Sequence, residues 1–303
     1  MTRFDESTIT FPYTRSLGPV TGAFMTALTE KRILGIRNGD GVLVPPMEWD
    51  PATGAELAHD FVEVGPSGTL AAWTWVPEHR AVVAGDFFIW VFPNAGNPQK
   101  AQRYPREWAE ALRAMAATEP ELFLPAHGLP IGGRDRIQRL LLGVADTLDQ
   151  LVADVLARMN AGEPLDTIVH EVRVPQAVLD QPWMQPVYDE PEFVVRNIWR
   201  LYGGWYDGNP ARLKPPADAA VAAEVSALAG GVDVLVARAT ELVAAGDLRL
   251  AAQLAEWAVG AAPDDTGAHG ARADVYAARR QEASSLMAKG VFGAAARASR
   301  AAD

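Results

Sequence analysis

Residues 81–90 read AVVAGDFFIW and residues 121–133 read ELFLPAHGLPIGG. Each holds a short apolar run that stops abruptly, the first at Gly85-Asp86 and the second at Pro125-Ala126-His127-Gly128. Runs of this length bounded by glycine and proline predict strands. Between them PNAGNPQKAQRYP (93–105) is a loop by composition. Pro105 suits the first position of a helix over 106–117, with Trp108, Leu112 and Met115 on one face. One strand–loop–helix–strand unit therefore fits, with a metal-capable side chain at the end of each strand. In an α/β layer, ligands gather at the carboxyl ends of strands.

Taken singly, Asp86 also suits a turn and His127 a structural role. Together they fit the late half of a dinuclear metal site, where a carboxylate bridges two cations and a neutral imidazole ligates one. Glycine after His127 lets the chain turn away and expose the ring.

Upstream, residues 21–30 predict a short helix. Residues 33–36 predict a strand and Asn38-Gly39-Asp40-Gly41 a hairpin turn. Further strands are expected at 42–44, 61–64 and 69–76, the first stopped by Pro45-Pro46. Downstream only helices are expected. A long amphipathic helix starts after Gly133 and ends near Asn160-Ala161-Gly162. A proline-broken loop spans 180–190, and Asp189 is placed to cap a helix beginning at Pro191. Alanine-rich helices follow, and residues 232–265 have the cadence of a tetratricopeptide-like pair. Arg249 and Arg272 read as the wet faces of those helices.

The fold class expected is α+β: a small OB-like β unit over 1–78, a partial α/β layer over 79–133 and a helical domain over 134–303. Net charge is −11, from 27 basic and 38 acidic residues. That balance argues against nucleic acid, even with Trp73 and Trp75 available for stacking, and against an anionic membrane surface. No run reaches the ~18 apolar residues of a membrane span, and no secretory signal is read at the start, so the cytoplasm is the expected location. The chain has no cysteine, which removes disulfides and thiolate metal sites.

Two resemblances add to this reading. The stretches GNPQKAQRYPREWAEALRAM, PAHGLPI, PVYDEPEFVVRNIWRLYGGWYDGNPARLKP and SLMAKGVF resemble the alkyl-sulfatase-like branch of the metallo-β-lactamase-fold hydrolases, over roughly 75–303. The resemblance implies two zinc ions that activate water against a sulfate or other ester, with Asp86 the bridging carboxylate and His127 the last histidine ligand. Asn94, Asn97, Lys100 and Arg103 are candidates for binding the anionic substrate. Asn197, Tyr202 and Tyr206 are placed near the active-site mouth by the same resemblance. It also implies a helical dimerisation domain and a homodimer.

Residues 15–78 resemble the OB-fold family that accompanies thiolases and other acyl-CoA enzymes, carried by AFMTALTEKRILGIR, GVLVPPMEWDPATG and DFVEVGPSGTLAAWTWVPE. That implies an acyl-CoA enzyme as partner. The zinc-ribbon cysteines of that family are missing here. The two resemblances meet at Trp75 to Arg80, as at a fusion point.

One departure weighs on function. The sulfatase-like branch supplies an early His-x-His-x-Asp-His cluster. The histidines here are His59, His79, His127, His170 and His269, and no two lie two residues apart. The expectation is a hydrolase lineage with a degenerate metal site. The alternative is a non-catalytic, dimerising, acyl-CoA-enzyme-associated protein.

Overall fold

The computed structural model describes residues 73–301 continuously and, before them, residues 20, 23–24, 26–27, 30, 32–37, 43–44, 56–58 and 60–66. The chain divides into two compact units, Met1–Ala72 and Trp73–Asp303. The mixed α+β class expected from sequence is the class observed.

In the first unit, β1 (Arg32–Arg37) lies between β2 (Leu43–Val44) and β3 (Phe61–Pro66), antiparallel to both. The pairing of Arg37 with Leu43 agrees with a hairpin between β1 and β2. The expected Asn38–Gly41 turn lies outside the described residues, as do Leu28 and Met25 of the expected first helix. Val20, Ile36 and Leu57 form a small buried cluster with Phe61 against it.

The second unit holds a four-stranded sheet in the order β4 (Thr74–Val76), β5 (Ala81–Gly85), β6 (Leu122–Pro125), β7 (Ile131–Gly132). β5 and β6 are parallel; the outer pairings are antiparallel. Of the strand expected at 69–76, residues 69–72 lie outside the described residues; the part seen, β4, pairs with β5, Trp75 opposite Val82. Arg80 (φ 44°) makes the left-handed turn that folds β4 back on β5. β7 was not anticipated; two residues carry no periodicity to read.

The crossover from β5 to β6 is α1 (Pro105–Ala117), with proline in its first turn as expected. Leu112, Met115, Val82, Ala84 and Phe123 are buried between α1, the sheet and α2 (Arg134–Asn160). Burying side chains the size of valine, leucine, methionine or phenylalanine is worth roughly 1.5–3 kcal/mol each. α2 contributes Ile137, Leu141, Val144, Leu148, Leu151 and Val155 at helical spacing, the face its sequence announced.

The remaining chain is helical: α3 (Leu165–Glu171), α4 (Gln176–Leu179), α5 (Pro191–Gly203), α6 (Asp218–Ala229), α7 (Val232–Ala245), α8 (Leu248–Ala261), α9 (Thr266–Glu282) and α10 (Leu286–Arg300). The α7–α8 hairpin turns at Gly246 (φ 82°), and Asp247 caps α8 by accepting the Leu250 N–H at 3.2 Å. Asp265 and Ser285 cap α9 and α10 in the same way. Among the described residues no single helix is long and apolar enough to cross a membrane.

Of the two arginines read as solvated faces, Arg249 is exposed and Arg272 is half-buried. Arg249 on α8 meets Glu192 on α5 at 2.6 Å. Arg272 on α9 binds Glu256 at 2.9 Å and the Ser299 hydroxyl at 2.8 Å, and lies over the Tyr276 ring. Both partners come from distant segments, so no local pattern marks them.

Candidate functional site

The parallel pairing of β5 with β6 brings Gly85 opposite Pro125. The two strands therefore end level, and the Ala126 N–H donates to the Gly85 carbonyl at 3.0 Å. The next side chains out are Asp86 and His127. His127 Nε2 lies 3.3 Å from Asp86 Oδ1, and both side chains are largely exposed, at 69% and 73%.

Trp90 braces this corner. Its indole N–H donates to the Leu129 carbonyl at 2.8 Å. Its ring lies against Gly128, where a Cβ would come within 2.0 Å of Trp90 Cδ1. Gly128 has φ 91°, so both its backbone angle and its neighbour demand glycine. Trp90 itself holds φ 60°, a conformation rare for a bulky residue.

The loop after this corner is fastened to α5 by two buried side chains. Asp189 Oδ2 accepts the N–H groups of Gly96 at 2.7 Å and Asn97 at 3.1 Å. Asn197 donates to the carbonyls of Ala95 at 3.0 Å and Arg103 at 2.9 Å, and its own oxygen accepts from Gln102 at 2.9 Å. Burial drives the Asp189 carboxyl above the usual carboxylate range, against the pull of these N–H donors. Asp189 thus does not cap α5 as expected; Glu190 takes the cap position without a side-chain cap bond, and the Asp189 carboxylate faces the loop.

The sequence-derived site residues fall into three groups. Asp86 and His127 are brought together. Asn94 and Asn97 bond to each other at 3.3 Å, with Asn97 buried, while Lys100 is exposed and Arg103 half-buried with its Nε lacking a hydrogen-bond partner among the described residues. Asn197 is buried with its amide committed to the loop backbone, and Tyr202 and Tyr206 are exposed after it. Asp189 was read only as a cap, and Trp90 and Gln102 were not read at all. Their roles depend on partners 39 to 95 residues away, and nothing local signals them.

The donor set is short for a metal. Two ligand atoms on one tetrahedral zinc lie roughly 3.3 Å apart for bonds of about 2.0–2.1 Å, so the Asp86–His127 spacing suits a corner of one ion. A catalytic zinc takes three protein ligands. Among the described residues no group of three or more His, Asp or Glu side chains converges. His79 is exposed in a 3-10 turn, His170 bonds the Asp166 carbonyl and His269 the Pro263 carbonyl. The described residues do not by themselves make up the two-zinc centre that the resemblance implies; His59 lies outside them.

Residues 165–302 match the family described as alkyl sulfatase dimerisation. The chain is 27% identical over 214 residues to the linear primary-alkylsulfatase of Pseudomonas sp. (strain ATCC 19151), covering 70% of this chain and 40% of that protein. It is 29% identical over 163 residues to the alkyl/aryl-sulfatase of Saccharomyces cerevisiae, covering 52% of this chain and 25% of that one. The solved structure of the stereoselective inverting sec-alkylsulfatase from Pseudomonas sp. superposes with a TM-score of 0.71 at 23% identity, over 76% of this chain and 37% of that one. The chain shares the fold of the matched part of that structure, and the comparisons support a likeness to the alkyl-sulfatase branch. It spans between a quarter and two-fifths of the length of these curated relatives. They give no support to an acyl-CoA-associated OB fold over 15–78, or to the partner it implied.

Proposed function

We propose that this chain descends from a sulfatase-type hydrolase acting on a sulfate or other ester, that its metal-assisted chemistry is lost or incomplete, and that it forms a homodimer through residues 165–302. The observation that carries the reading is the edge where β5 and β6 end level. Two ligand-capable side chains meet there, in a chain similar to alkylsulfatases over most of its length. Zinc is the metal the lineage implies, and Asp86 and His127 are the residues that would have faced it.

What the chain retains is the means to hold an anion. The loop 94–104 is pinned by Asp189 and Asn197 and carries Lys100 and Arg103. Arg103 Nε is buried without a partner among the described residues, a donor that an ester's charged oxygens would satisfy. Binding of a sulfate ester without turnover is the behaviour this arrangement supports.

Metal content of the purified chain, measured beside alkyl-sulfate and ester hydrolysis, tests the reading. Less than one zinc per chain and no chelator-sensitive turnover are expected. Two zinc ions per chain with brisk, chelator-abolished hydrolysis would overturn it. Light scattering should give a dimer at micromolar concentration; a clean monomer counts against the association.

A further inference from the structure

The helices from α7 onward bury their own apolar residues, Leu235, Leu242, Ala255 and Val275 among them, and none of these belongs to the cluster around the sheet and α2. Two cores that share no buried side chain need other ties to keep a fixed relation. One short stretch, residues 187–192, supplies such ties. The Val187 carbonyl accepts the Leu286 N–H at 2.9 Å, and Glu192 meets Arg249 at 2.6 Å. Between them the Ser285 hydroxyl donates to the Glu190 carboxylate.

Ser285 is wholly buried at the start of α10. A hydroxyl has one proton to give and two lone pairs to accept with. Here it gives the proton to Glu190 and accepts the Ala288 N–H at 3.2 Å. One residue before Glu190 stands Asp189, also wholly buried. Its Oδ1 accepts the Glu190 N–H at 2.7 Å, while its Oδ2 holds Gly96 and Asn97. An unbroken polar path therefore runs from the first turn of α10 to the backbone of the loop 94–104. Asp265 caps α9 with the Ala268 N–H at 2.7 Å, and among the described residues its carboxylate bonds to no other element. A cap that served only its own helix would need no bond like that of Ser285 to Glu190.

We propose that Ser285 and Glu190 are positioning residues for the loop 94–104, carrying the placement of α10 through Asp189 to the backbone that presents Lys100 and Arg103. The stretch proposed to form the dimer thereby also supports the candidate site. The functional side of this rests on the anion-holding reading of that loop; the geometric side does not.

Amide exchange of the full chain, followed by mass spectrometry, tests this with Ser285→Ala set against Asp265→Ala. Each removes one cap acceptor, but only the first cuts the path. Exchange across 94–104 should rise about fivefold in Ser285→Ala, as the loss of one hydrogen bond allows, and stay at the parent rate in Asp265→Ala. Glu190→Gln keeps an oxygen for the hydroxyl and should behave as the parent, whereas Glu190→Ala should match Ser285→Ala. Joining Ser285→Ala to Glu190→Ala should add nothing further, since both break the same link. Equal acceleration of the loop by the two cap variants overturns the proposal, as does a rise confined to the first turn of α10. Should Ser285→Ala fail to fold, the two Glu190 variants decide by the same comparison. Calorimetric titration with inorganic sulfate separates this from the reading it rests on. Sulfate that the parent does not bind sinks anion capture by the loop and leaves the exchange result to judge the positioning. Where the parent binds it, Ser285→Ala should weaken it about fivefold and Asp265→Ala should not; an affinity unchanged in both overturns the functional side.

Discussion

Asp189 Oδ2 accepts the Gly96 N–H at 2.7 Å across 93 residues of sequence, with the carboxylate wholly buried. That bond joins the loop leaving the Asp86 strand to the start of α5. It is reinforced by how closely the two backbones approach. A Cβ on Gly96 would lie 2.4 Å from the Phe193 carbonyl carbon and 2.5 Å from Val194 N.

Gly96→Ala should therefore be destabilising. The clash is with backbone atoms, which cannot rotate aside, and overpacking of this kind costs about 1–3 kcal/mol. A shift in the midpoint of denaturant unfolding measures it. An unchanged midpoint would show that the loop and α5 separate without penalty.

The raised pKa of Asp189 sets a pH dependence of definite sign. Burial lifts it, so its favourable contribution is greatest below the unfolded carboxylate value and declines as pH rises from there through the folded value. Asp189→Asn removes this titration. Relative to that variant, the parent should lose stability as pH climbs through the window, and the difference should level off above it. A flat difference between the two unfolding curves from acid to neutral pH would refute the assignment.

Glu192 should behave oppositely. Burial raises its carboxyl, but the hydrogen bond and charge of Arg249, with Arg196 beside it, outweigh burial and hold it below the ordinary value. Its contribution is present above the unfolded value and disappears as pH falls through the folded one. Arg249→Ala should cost about 1 kcal/mol near neutrality, since the pair is only partly shielded from solvent, and much less in acid. A cost independent of pH would point to lost packing instead of lost pairing.

Asn197→Ala removes donors and an acceptor that hold Ala95, Gln102 and Arg103. Buried groups left without partners cost about 1–3 kcal/mol each, so a loss near 3 kcal/mol is expected. Amide exchange in 94–104 should rise more than in α2. Equal acceleration everywhere would mean that the amide supports the whole core and not this loop.

Substitution at the strand ends should do little to the fold. Asp86→Asn and His127→Ala alter exposed side chains and should change unfolding free energy by less than about 0.5 kcal/mol. A large loss would show the pair to be structural.

The elements with strong local signals were legible from residues alone. α2 and the α7–α8 hairpin declare their buried faces by spacing, and β5 and β6 end where glycine and proline stop them. Asp86 and His127 could be named for the same reason: each follows a visible strand end. The resemblance placed Asn197 near a site mouth; that its amide clamps the loop backbone shows only in the fold.

Periodicity and turn chemistry act within a few residues, and to that distance the chain alone determined its helices, its short strands and the two ends that meet. Only the tertiary structure decided that β4 joins β5, that Asp189 faces Gly96 and not its own helix, and that among the described residues no third ligand joins the meeting ends. Those outcomes depend on close packing between segments tens of residues apart, and no local pattern encodes such distances.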